Sequence, residues 1–140
     1  MSGERPYSRA AQLLKSAGLR PTRQRLALAR LLFGGGDRHV SAEQLHREAR
    51  EGSVKVSLAT VYNALHQFTE AGLVREVVVD SGRSYFDTNI TDHHHFFFEE
   101  SGELEDIPSE AVVLSRLPEP PEGAEVARID VIVRLSRPGR

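Results

Sequence analysis

The sequence predicts an α+β chain in two parts, an N-terminal winged helix-turn-helix followed by a small α/β dimerisation domain. Three observations carry this. Apolar residues recur at helical spacing through the first half, alternation of apolar and polar residues marks the strands of the second, and the charge changes sign between the halves. Residues 1–86 hold 13 Lys and Arg against 8 Asp and Glu, a net of +5, whereas residues 87–140 hold 5 against 12, a net of −7. The first domain is therefore expected over residues 1–86, with residues 1–7 disordered, and the second over 87–140.

A first short helix is read from Ser8 to Ala17 on the spacing of Ala11, Leu13, Leu14 and Ala17, with Gly18 as its stop. Thr22 is placed to cap a second helix, in which Leu26, Ala29, Leu32 and Phe33 recur until Gly34-Gly35-Gly36 ends it. Ser41-Ala-Glu-Gln44 fits a capping box opening a third helix through Leu45 and Ala49. A fourth, Ser57 to Ala71, puts Leu58, Val61, Leu65 and Phe68 on one face. Its other face carries Ala59, Thr60, Asn63 and Gln67, small or polar groups that reach base edges without bulk. Residues 73–79 and 83–87 flank Asp80-Ser81-Gly82 as a hairpin, completing a winged-helix order. Beyond a polar connector, strands are expected at His93–Glu99, around Leu104 and Ile107, and at Glu125–Ser136, with a short helix from Glu110 to Leu117. A module of some 50 residues is hard to stabilise alone, so pairing through its sheet is expected.

Composition removes several function classes. Without cysteine the chain has no disulfide, thiolate zinc site or thiol redox chemistry, so any metal must sit on nitrogen and oxygen. No apolar run reaches the roughly 20 residues of a membrane helix and no signal peptide opens the chain, so no membrane association and a cytoplasmic location are expected. A basic first half, with Arg20, Arg23, Arg25 and Arg30 around the second helix, suits a polyanion such as duplex DNA.

The ligand-rich feature is the triplet His93-His94-His95, placed between Asp92 and Phe96-Phe97-Phe98-Glu99-Glu100. Successive side chains of a strand face opposite ways, so His93 and His95 reach one site and His94 another. Neutral imidazoles bind transition metals and haem iron, and nearby carboxylates add oxygen ligands that ferrous or manganous ions accept. A tag remnant would be terminal and longer, whereas this run is internal. Phe96 to Phe98 read either as strand core or as apolar surface for a porphyrin. His46 and His66 read as solvated surface.

The segments Gly18-Leu-Arg-Pro-Thr-Arg-Gln-Arg25, His39-Val-Ser-Ala-Glu-Gln-Leu45, Ser57-Leu-Ala-Thr-Val-Tyr-Asn-Ala-Leu65 and His93-His-His95 together resemble the ferric uptake regulator family over roughly residues 8 to 135. Pro21 to Arg25, Val56 to Leu65 and Tyr85-Phe-Asp-Thr-Asn89 look most similar to its haem-responsive iron response regulator branch. The resemblance implies a homodimeric, DNA-binding regulator, not an enzyme, acting in iron and haem homeostasis. It assigns a regulatory metal site to His39, Asp87, His93, His95 and Asp106, where both aspartates stand in for common glutamates. A second site would use Asp92, His94 and Glu110, with the family's histidine in the last strand missing and Asp130 nearby. Phe98 and Ser101 occupy the places of the structural cysteine pair, which excludes a structural zinc there. The DNA contacts fall on Arg20, Ser57, Ala59, Thr60, Tyr62 and Asn63, the last replacing the usual arginine and so implying a different operator.

The cofactors implied are a divalent metal, iron or manganese in the cell and zinc in a purified sample, together with haem on His93, His94 and His95. Partners implied are an operator duplex, a second copy of the chain, and haem or a haem-synthesis enzyme. Two other readings use the same ligands: a peroxide- or other metal-responsive regulator of the same family, and a metal-dependent hydrolase. The hydrolase lacks any nucleophile elbow, His-Glu-x-x-His or phosphate loop.

Overall fold

Four helices and a three-stranded sheet make up the first of two compact units, which meet in the chain at Ile90 and Thr91. A computed structural model describes residues 6–136, with side chains from Ser8 onward. Of the stretch 1–7 expected to be disordered, residues 1–5 lie outside the described residues, and Pro6 and Tyr7 open the first helix.

The first unit runs α1 (Pro6–Ser16), α2 (Arg23–Phe33), β1 (His39–Val40), α3 (Ala42–Glu51), α4 (Leu58–Glu70), β2 (Arg75–Asp80) and β3 (Arg83–Asp87). Three helices start on hydroxyl caps. Thr22 Oγ1 accepts from the Arg25 N–H, Ser41 Oγ from Gln44 and Ser57 Oγ from Thr60, at 3.1 to 3.2 Å. The Ser41 box closes on one side only, because the Gln44 amide donates to Glu48 Oε2 at 3.3 Å. Gly72 ends α4 at φ +80°, with Leu73 N–H reaching back to Phe68 O at 2.9 Å, a turn that favours glycine. The antiparallel sheet is ordered β1-β3-β2, so the two-residue β1 brings His39 opposite Asp87 and Val40 opposite Phe86.

Leu14, Leu28, Leu32, Val40, Leu45, Val61, Leu65, Phe68 and Phe86 form the centre of this core. In α2 the expected Ala29 and Leu32 are fully buried together with Leu28, while Leu26 and Phe33 are only partly buried. Side chains that fill a helical stripe facing both α1 and α4 are selected by tertiary packing, which a single-period reading does not resolve.

The second unit has β4 (His93–Phe98) between antiparallel β5 (Leu104–Pro108) and parallel β6 (Ile132–Leu135). Burial along β4 alternates strictly: His93, His95 and Phe97 are buried, and His94, Phe96 and Phe98 are half-buried. Phe97 is core, with the Arg134 guanidinium 5.7 Å above its ring.

Two expected elements differ. The helix from Glu110 to Leu117 is replaced by a single 3-10 turn, Ser109–Ala111, and the last strand shrinks to Ile132–Leu135. Val113, Leu114, Leu117, Val126 and Ile129 are exposed, so the apolar face that was to hold either element finds no cover within the unit. A helix of eight residues is marginal without such burial.

Candidate functional site

His39 and Asp87 enter the first unit's site through the β1–β3 pairing. The Asp87 side chain is 1% exposed, its Oδ1 accepts the Asn89 N–H at 2.9 Å, and its Oδ2 lies 3.4 Å from His39 Nε2. A carboxylate so buried requires hydrogen bonds and a cationic partner. Arg38 and Thr88, the adjoining residues, fix both strand ends: Arg38 N–H donates to Thr88 Oγ1 at 2.9 Å and Thr88 N–H to Arg38 O at 3.0 Å. The Arg38 guanidinium forks onto Glu48 of α3 at 3.0 and 2.6 Å and also donates to Leu31 O. That fork, above all, holds the Glu48 carboxyl below its ordinary 4.5 against the opposing effect of burial.

In the second unit the β4–β5 register sets His95 opposite Asp106, and the alternation of β4 sets His93 beside His95. The two rings, 7% and 3% exposed, stand 4.6 Å apart between centroids. Asp106 Oδ1 lies 3.4 Å from His93 Nε2 and 3.5 Å from His95 Nε2. A carbonyl oxygen only accepts, so the 2.6 Å contact of His93 Nδ1 with Thr91 O puts the proton on Nδ1. In the neutral ring the lone pair is then on Nε2, aimed at a carboxylate. Two electron-rich atoms facing one another call for a cation between them, and a backbone carbonyl on the far nitrogen is how a metal-binding histidine is oriented. Each of these three residues offers one ligand atom within 4.8 Å of the others, and the same holds between His39 and Asp87. Imidazole nitrogen and carboxylate oxygen suit ferrous, manganous or zinc ions.

The expected second set does not assemble. Asp92, His94 and Glu110 form no such group among the described residues, Asp92 and Glu110 are exposed, and Asp130 is paired with Arg128 at 2.9 Å. His94 faces away from His93 and His95, and its Nδ1 accepts the Val131 N–H at 3.0 Å. That bond places the ring's proton on Nε2 and leaves neither nitrogen bare for a metal or haem iron.

On α4, Ala59 and Asn63 are exposed, and the Asn63 amide has no hydrogen-bond partner among the described residues. Ser57 and Thr60 spend their hydroxyls on one another at 2.9 Å and on the helix cap. Tyr62 O–H donates to Glu43 Oε2 at 2.9 Å, which raises its pKa above the ordinary 10.0. Arg20 is exposed in the loop before α2, and its side chain has no acidic partner among the described residues. Sequence reasoning gave Gln67 to the groove-facing set, but its Oε1 accepts two bonds from the Arg25 guanidinium, at 3.2 and 2.9 Å. His46 is not merely solvated: its Nε2 lies 3.1 Å from Val56 O, joining α3 to the loop before α4. His66 is exposed, with its ring tilted against Tyr62 and Phe86.

A profile of the ferric uptake regulator family matches residues 16–132. The chain belongs to that family. Among its relatives is the ferric uptake regulation protein of Vibrio cholerae, 40% identical over 84 residues, which are 60% of this chain and 55% of that one. The chain thus spans about half the length of the curated relatives it matches. The manganese-containing ferric uptake regulator of Pseudomonas aeruginosa aligns at a TM-score of 0.68 and 27% identity, over 92% of this chain and 98% of that one. The Vibrio cholerae ferric uptake regulator, known for a rearrangement of its DNA-binding domains, aligns at 0.72 and 25% identity, over 91% and 98%. Among the described residues no helix is long and apolar enough to cross a membrane.

Proposed function

We propose that this protein is a homodimeric transcriptional regulator of iron and haem homeostasis whose binding to an operator duplex is switched by a divalent metal. The observation that carries it is the His93–His95–Asp106 cluster, in which Thr91 O orients the His93 ring. The His39–Asp87 pair supplies the remaining ligands in the resembling family. A bound metal would switch operator binding by its differential affinity for the binding-competent state. Manganese in the Pseudomonas aeruginosa relative supports a divalent ion in the same role.

DNA binding is supported by Arg20 in the loop before α2 and by Tyr62 and Asn63 on α4, all exposed or half-exposed in a basic unit. Phosphate contacts position such a helix, and base-edge contacts specify the sequence. Dimerisation is supported by the exposed apolar Val113, Leu114, Leu117, Val126, Ile129 and Val133, which a second copy could cover. The reading is of a regulator rather than an enzyme.

Haem as a second input draws less support. His94 commits Nδ1 to Val131, so haem ligation there requires the ring to give up that bond. Titrating haemin into wild type and His94→Ala while following the Soret band separates a ligand from a bystander. The test of the main reading is binding-site selection from random duplexes with manganese, ferrous iron, haemin or chelator present. Sequence enrichment is expected with manganese or ferrous iron and not with chelator. Equal enrichment with chelator would refute metal control.

A further inference from the structure

We infer that Arg25 and Gln67 are positioning residues for DNA binding: they lock the loop that carries Arg20 against the recognition helix α4. This rests on the DNA-binding reading above and extends it to residues that touch no DNA themselves. Arg25 lies at the start of α2, half-buried, and its planar fork spans two elements 42 positions apart in sequence. Nε and one terminal nitrogen donate to Gln67 Oε1, at 3.2 and 2.9 Å, and the other terminal nitrogen donates to Arg20 O at 2.9 Å. The backbone of Arg20 is held a second time by Thr22 N–H, at 2.9 Å.

Three donors on neutral acceptors leave the guanidinium charge uncompensated, and Arg25 has no acidic partner among the described residues. The first turn of α2 contains no acidic residue either. Positive charge at a helix N-terminus opposes the helix dipole, so the arrangement costs some stability in the free protein. It becomes favourable when a polyanion arrives. Lysine cannot replace Arg25, because a single ammonium lacks the fork that reaches Gln67 and Arg20 together.

The consequence is a fixed spacing. Arg20 and Tyr62 must reach the same duplex from different elements, and the loop before α2 has no regular structure to hold Arg20 in place. Through Arg25, the loop carbonyl and α4 become one rigid assembly, so an exposed arginine meets a phosphate without first ordering its backbone.

The experiment is a double-mutant cycle on the selected operator with manganese bound, measured from 50 to 300 mM salt. Gln67→Ala breaks the link but keeps every charge, and Gln67→Glu keeps the link but neutralises Arg25. For each protomer of the bound dimer, Gln67→Ala is expected to weaken operator binding about eightfold at 0.1 M salt and to flatten the logarithmic salt slope by about 1, the signature of one lost phosphate contact. Arg20→Ala should give the same loss, and Arg20→Ala with Gln67→Ala no more than either alone. In a Gln67→Glu background Arg20→Ala should keep its full additional effect. Losses that multiply in the Gln67→Ala cycle would overturn the inference, as would lost affinity at an unchanged slope, which would make Gln67 a direct reader of bases. Melting of each variant, with and without manganese, reports folding independently of DNA. Wild type that shows no salt-dependent duplex binding would instead remove the DNA-binding reading itself.

Discussion

Replacing Asp106 with asparagine tests the metal centre with little disturbance elsewhere. The side chain is 43% exposed, its backbone stays paired with His95 in the sheet, and asparagine has the same size, so the unloaded protein should melt almost as wild type does. What the substitution removes is a negative charge that lies close to both His93 Nε2 and His95 Nε2. Losing an outer-shell partner of a metal site weakens affinity about 10- to 100-fold, and losing a ligand should cost at least that. With metal about 100-fold above the wild-type Kd, binding stabilises the wild type by about 2.7 kcal/mol, but the variant by only about 0.4 to 1.4 kcal/mol. At about 3 °C per kcal/mol for a chain of this size, the metal-induced rise in Tm should shrink by about 4 to 7 °C. Differential scanning fluorimetry at a fixed free manganese concentration measures it. An unchanged rise in the variant, with an unchanged melt of the metal-free protein, would show that Asp106 is not a ligand.

Asn63→Arg should shift sequence preference toward guanine rather than abolish binding, because an amide pairs bidentately with adenine and a guanidinium with guanine; unchanged enrichment in binding-site selection would refute it. Phe68→Ala, emptying a fully buried site beside Phe33, should cost about 3 to 5 kcal/mol in urea unfolding. Glu48→Gln should remove the Arg38 ion pair, which is partly solvent-screened and worth on the order of 0.5 to 1 kcal/mol. Because folding lowers the Glu48 pKa below 4.5, its stabilisation is present above that value and lost as the pH falls through the lower, folded value. The stability gap between wild type and Glu48→Gln should therefore be constant near pH 6 to 7 and close below about pH 4.5.

The helical unit was largely legible because its signals are local. A hydroxyl at each of Thr22, Ser41 and Ser57 caps the helix that follows, and these bonds span three residues. The division of the histidine triplet was legible for the same reason, since strand alternation alone decides that His93 and His95 share a face. What local reasoning missed are partnerships at long separation. Nothing around Gln67 announces Arg25, nothing near His94 announces the N–H of Val131, and nothing near Tyr62 announces Glu43. In each case the side chain also bonds to a group far away in the chain, which no local pattern carries.

The expected helix over 110–117 failed differently. Its periodicity is real, with Val113, Leu114 and Leu117 spaced for one face, yet the face has nothing within the unit to lie on. Amphipathic spacing states which side of a segment would be buried if a partner existed, and it is silent on whether the partner belongs to the same chain. A second copy, bringing the same surface, would meet that condition by isologous contact. The exposed row and the misjudged helix are then one fact. Hydrogen exchange of residues 110–117 in dilute and concentrated samples decides it: protection that grows with concentration is expected, and concentration-independent exchange in a protein that nonetheless dimerises would refute the link.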